Sequence, residues 1–187
     1  MDDLQREKRG GMSLWYLKDV LLKRRFLGRK SRVPGFGLAA VLFATTCQVV
    51  IERLGREKGE ELIKEAVQRF GRERGRRIAR KVSSLGKPLS LKNWLIYTDI
   101  DAGNFAARPR IDNGDLVAAV GKCAFDNAAR AWGLGEFSSL YCKYADHAIL
   151  EGYNPEVKLV LEDRHATGRD HCLFRYVMKE QRPCTAR

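Results

Sequence analysis

Cys142 and Asp146 stand four residues apart in EFSSLYCKYADHAILEG (136–152), a stretch whose apolar residues recur at helical spacing. On a helix both project from one face, about a turn apart. A carboxylate beside a thiol raises the thiol's pKa, so Asp146 alone does not make Cys142 a nucleophile. A cation or an imidazole would be needed. His147 is next in sequence, but it points roughly 100° further around the helix. The pair therefore suits a pocket in which Asp146 holds a water or a substrate amino group while Cys142 lines the wall. A small buried thiol beside a helix-surface acid explains the spacing equally well.

The second cluster of reactive residue types is ATGRDHCLFRY (166–176). In a strand, adjacent His171 and Cys172 face opposite sides, and Cys172 shares its face with Phe174 and Tyr176. His165 and His171 could meet across a hairpin, yet no Cys or His pair has ligand spacing, so neither a metal nor a cofactor is expected. Nucleotide loops fail too. GLGEF (133–137) and GRERGRR (71–77) contain glycines, but no strand leads into a phosphate-binding turn.

The elements that must position these residues follow from hydrophobic pattern. Leu14, Leu17, Leu21 and Leu22 predict a helix over 13–27 with Ser13 as N-cap, followed by a basic linker through Pro34. No charge occurs from Val33 to Ile51, and this run predicts a buried central helix over 36–54, with Cys47 as a small buried hydrophobe. A membrane span is the minor reading of that run, because Pro34, Gly35 and Gly37 open it and Thr45, Thr46 and Gln48 lie inside it. A long amphipathic helix is expected over 58–85, closed by Gly86 and Pro88, with the arginines of 72–81 on a solvated face. A short helix with Trp94 (89–99) comes next. Asn113-Gly114 then marks a hairpin between a strand drawn from 104–111 and a strand over 116–120. Helices over 122–132 and 136–151 precede a closing antiparallel hairpin, Val157–Leu161 against Cys172–Tyr176. The sum is an α+β fold, with N-terminal helices packed on one face of a small antiparallel sheet. Residues 1–35 are read as a basic helix and linker, and 36–187 as one domain.

Charge divides the chain. Of its 187 residues 35 are Lys or Arg and 23 Asp or Glu, a net +12. The excess lies in residues 1–32 and 52–82, whereas the remaining C-terminal part is nearly neutral. A polyanion or membrane surface could therefore engage only the N-terminal half. No RNA-binding signature accompanies that charge, so nucleic acid is not expected, and membrane association of residues 1–54 is not the favoured reading. Five scattered cysteines without a CxxC pair, and no apolar stretch near Met1, lead us to expect a reducing cytoplasm.

The ordered series over 122–176 resembles the L-2-amino-thiazoline-4-carboxylic acid hydrolase family. Its family-like positions are Cys123, the Gly133 turn, Cys142 with Asp146, the Gly-aromatic-Asn-Pro turn at 152–155 and Gly-x-x-x-Cys-x-Phe at 168–174. Residues 74–95 look like the family's helix and the segment after it. The closing hairpin is also similar to that of vinyl-reductase-type small-molecule-binding domains. The resemblance implies hydrolytic opening of a 2-amino-thiazoline ring toward a carbamoyl-cysteine. Cys142 would be the nucleophile or face the water, and Asp146 would be the base or amidinium partner. Cys123, Asn154 and Cys172 would be pocket or support positions, and Arg175 or Arg108 the anchor of the substrate carboxylate. The expected partner is a small-molecule substrate, with a homodimer left open. The alternative is a non-enzymatic binding or sensory domain that uses the same cavity.

Overall fold

The computed structural model describes residues 35–100, 102–163 and 172–177. The expected helix over 13–27, His165, His171 and the turn at Gly168 lie outside the described residues. The first described helix, α1 (Gly35–Leu54), is the uncharged run found in the sequence. It is buried along one stripe only: Gly37, Ala40, Val41, Ala44 and Cys47. Leu42 is 71% exposed, and Leu38 and Val49 are exposed as well. The expectation of a buried central helix is thus corrected to a half-buried one. Although long and apolar enough to cross a membrane by composition, only 28% of its most apolar window is buried. A uniformly apolar run carries no periodic signal to say which side faces inward.

Helix α2 (Arg56–Ser84) ends as its sequence predicts. Gly86 takes φ +66°. Its N–H donates to Ser83 O at 2.9 Å, and the Lys87 N–H donates to Val82 O at 3.3 Å. This is the paired closure that a left-handed residue after a helix permits. The buried stripe of α2 is Gly59, Ile63, Val67, Gly71, Gly75, Ile78 and Val82. Leu62, Phe70 and Leu85 recur at helical spacing with Ile63, Ile78 and Val82 in the sequence, which predicts one apolar face for all of them, but these three are exposed. Helix α3 (Leu91–Tyr97) is capped by Ser90, whose Oγ accepts from the Asn93 N–H.

Strands β1 (Phe105–Asp112) and β2 (Asp115–Cys123) are joined by Asn113 at φ 52° and Gly114 at φ 89°. Two consecutive left-handed residues match the twist of a tight hairpin, which is why Asn-Gly marks one. After α4 (Ala124–Ala131) and α5 (Gly135–Tyr153) come β3 (Lys158–Asp163) and β4 (Cys172–Val177). The sheet order is β1-β2-β4-β3 and every pairing is antiparallel. The fold is α+β, with helices against a small antiparallel sheet.

Helices α2 and α5 run in parallel and touch backbone to backbone. Arg56 pairs with Glu136 near one end, Lys143 and Tyr144 bond to Glu60, and Arg72 reaches Glu151 further along. Glycines allow the approach. A Cβ on Gly75 would lie 2.0 Å from Ile149 O, and one on Gly152 2.1 Å from Arg72 O. The Gly71-x-x-x-Gly75 spacing is a helix-packing device in this chain, since both residues sit on the buried stripe of α2.

Candidate functional site

Register determines which strand residues face the helices. Cys172 pairs with Val120, Phe174 with Ala118 and Leu161, and Tyr176 with Leu116 and Leu159. Residues directly opposite share a face, so these apolar side chains form one surface. Tyr176 bonds to the Trp94 side chain and feels the charge of Asp146; burial pushes its phenol up to about 12. Asp146 on α5 therefore faces this side of β4.

Three thiols gather beside that carboxylate. Burial holds the Cys142 thiol well above its ordinary value, and Asp146, Cys123, Cys172 and Asp126 each raise it further. The Cys123 thiol is also raised by burial, opposed by the backbone N–H groups of Asp126 and Phe125 at the start of α4. Cys142, Asp146, Cys123 and Cys172 thus share one neighbourhood, assembled from the middle of α5, the end of β2 and the start of β4. At neutral pH Cys142 is a neutral thiol there. His147, next to Asp146, is exposed. Among the described residues, no three His, Cys, Asp or Glu side chains are grouped closely enough to hold a metal ion.

Two other expected site residues lie elsewhere. Arg175 is three residues beyond Cys172, so the pleat sends it to the opposite face of the sheet. There it donates to Asp112 at 2.8 Å, to Asp115 at 3.3 Å and to Glu162. Val117 is fully buried, in register between Arg110 and Arg175. Asn154 caps the C-terminus of α5, two turns beyond Asp146. Its Nδ2 donates to Leu89 O at 2.8 Å, and its Oδ1 accepts from the Glu156 N–H. Together with Tyr153 Oη, which donates to Ser90 O, it fastens the 88–90 segment to α5. Arg108 is in register with Ala119 on the Arg110–Arg175 side of the sheet.

A second feature was not anticipated. A half-open cavity of about 500 Å³ is walled by Phe36 and Phe43 of α1, Phe70 of α2, Phe125 of α4 and Tyr141 of α5. The rings interlock, with centroids 5.2 Å apart for Phe36–Phe125, 4.7 Å for Phe125–Tyr141 and 5.7 Å for Phe43–Tyr141. Arg74 supplies the one charged side chain among the described lining residues. Its Nε lies 2.9 Å from Asp99 Oδ1, and its Nη1 donates to Tyr141 Oη at 3.4 Å. Its side chain is only 11% exposed, which separates it from Arg76, Arg77 and Arg80. Those three are solvated and pair with Glu73, as the charge pattern predicted for the run as a whole. The signal that could have revealed the cavity is Phe70 four residues before Arg74, opposite Phe36 and Phe43 at heptad spacing.

No curated protein and no solved structure matches the chain. The family model for L-2-amino-thiazoline-4-carboxylic acid hydrolase matches residues 36–176, which include both helices of the parallel pair, all four strands and the thiol-carboxylate face. By that match the chain belongs to the L-2-amino-thiazoline-4-carboxylic acid hydrolase family.

Proposed function

We propose that the protein is a hydrolase that opens the ring of L-2-amino-thiazoline-4-carboxylate or a related cyclic amidine, with Asp146 as the working acid-base group. The observation that carries this reading is the gathering of Asp146 with Cys142, Cys123 and Cys172, the first two of these thiols being held protonated by burial. A protonated amidine would pair with Asp146, and neutral thiols would line the wall without competing for the cation.

The state of Cys142 favours water over sulfur as the nucleophile. A thiol raised by burial and by a neighbouring carboxylate supplies little thiolate. Water adds to C2 of the ring with Asp146 as general base. The bond from C2 to the ring nitrogen then breaks, and Asp146 returns the proton to that nitrogen. Both hydrogens of the water finish on the new amino group and its oxygen on C2, so substrate plus one water gives a carbamoyl-cysteine. Cys142, Cys123 and Cys172 shape the pocket.

The test is turnover by variants that remain folded. Asp146→Asn should lose about 100-fold or more in kcat, the usual scale for a positioned general base. Cys142→Ser should retain most of its activity. Full activity in Asp146→Asn, or loss only in Cys142→Ser, would reverse the roles.

A further inference from the structure

We propose that the aromatic cavity between α1, α2, α4 and α5 is a second binding site, for an aromatic or branched apolar small molecule that ends in an acceptor oxygen. The cavity is a half-open cleft of about 500 Å³ whose mouth is formed by the exposed Ala39, Ala66 and Phe70. That volume is in the range of sites that enclose a small organic ligand. The space exists because α1 and α2 place Ala39 and Ala66 in a lining otherwise dominated by rings. Such walls do not suit a small zwitterion such as an amino-thiazoline carboxylate, and neither Cys142 nor Asp146 belongs to the lining. The cavity adjoins the thiol-carboxylate face, since Tyr141 feels the charge of Asp146 and the Phe125 N–H meets Cys123, but its lining is its own and the proposal does not rest on the hydrolase reading.

Its polar corner determines the ligand's end group. Asp99 takes Nε and Nη2 of Arg74 and neutralises its charge, while Nη1 points to the oxygen of Tyr141. Burial pushes the Tyr141 phenol up to about 12, so it keeps its proton at neutral pH. With its oxygen accepting from Arg74, its O–H is left to donate. The corner therefore offers the Tyr141 O–H to an incoming molecule, and a carboxylate or carbonyl oxygen can accept from it where an ammonium group cannot.

The test uses the full chain and the fluorescent aromatic sulfonate 1-anilinonaphthalene-8-sulfonate. Saturable one-site enhancement is expected, displaced by indole-3-acetate but not by tryptamine, which has the same ring and a cationic end. Ala66→Phe and, separately, Ala39→Phe fill the cavity and should weaken the probe at least tenfold without lowering Tm. Tyr141→Phe should weaken indole-3-acetate about fivefold or more. Absence of saturable binding, undiminished binding in both filled variants, or equal displacement by tryptamine would overturn the proposal.

Discussion

Replacing Gly152 with alanine opposes two physical effects of opposite sign. By helix propensity alone the change should stabilise α5 by up to about 1 kcal/mol. The packing says otherwise. The added Cβ would lie 2.1 Å from Arg72 O and 2.8 Å from Arg72 Cα, both backbone atoms of α2. A carbon and a carbonyl oxygen approach to about 3.3 Å at closest, so the two helices must part by roughly 1.2 Å. No flexible side chain stands at the contact to absorb this. A gap of that size forfeits up to half the dispersion energy of each contact along the seam, including those of Ile63, Val67, Ala145 and Ile149. Overpacking typically costs 1–3 kcal/mol, and a backbone-on-backbone clash belongs at the top of that range. Net of propensity, a loss of about 2 kcal/mol is expected, or roughly 4–8 °C in Tm for a chain of this size. Thermal unfolding followed by circular dichroism measures it. Gly121→Ala is the internal control, because a Cβ there meets nothing within 4 Å and its Tm should hold or rise. A Gly152→Ala protein melting at or above the parent would refute the tight parallel pairing of α2 and α5.

The same seam predicts a rescue. Gly71→Ala meets first the Ala148 Cβ at 2.8 Å, so adding Ala148→Gly should recover part of the lost Tm. On α1, Leu42→Gln should change stability by no more than about 0.5 kcal/mol, whereas Ala44→Leu on the fully buried stripe should cost about 1–3 kcal/mol by overpacking. A hydrogen bond from Arg175 holds the Asp112 carboxyl below its ordinary value. That contribution is present above the unfolded carboxylate pKa and is lost as pH falls through the lowered folded value. Tm measured from pH 6 down to pH 2 should therefore fall more steeply in the parent than in Arg175→Gln. Burial pushes the Cys47 thiol up to about 12 and holds Cys142 well above its ordinary value. Neither should contribute to fast labelling by a disulfide reagent at pH 7.5, so Cys142→Ser should leave the fast phase unchanged. Rapid labelling of Cys142 would instead identify an activated thiolate.

Local signals were readable in the sequence wherever a local rule governs the outcome. The Asn113-Gly114 hairpin, the Gly86 closure of α2 and the alternation of Leu159, Leu161, Cys172, Phe174 and Tyr176 each depend on a few neighbouring residues, and the structure contains all three. Features set by distant partners were not readable. Gly71 and Gly75 look like parts of a failed phosphate loop until α5 lies against them, because the need for glycine comes from Ile149 and Tyr153. Arg74 is indistinguishable within a dense arginine run, and only Asp99 and the rings beside it turn it inward. The uncharged run of α1 gave no hint of its exposed side. In the candidate site, the Cys142–Asp146 pairing followed from helix geometry. Asn154 came from a family-like series and Arg175 from the need for a carboxylate anchor, and neither source records strand parity or which loop a side chain ties down.

The family assignment rests on a match over 36–176, and the chemistry proposed for it rests on Asp146 beside neutral thiols. The most direct test is to incubate the purified chain with L-2-amino-thiazoline-4-carboxylate and follow by mass spectrometry the appearance of a product one water heavier, with Asp146→Asn run in parallel. The account predicts steady turnover by the parent and about 100-fold less by the variant. A folded parent that leaves the ring intact, or a variant that opens it at the parent's rate, would contradict it.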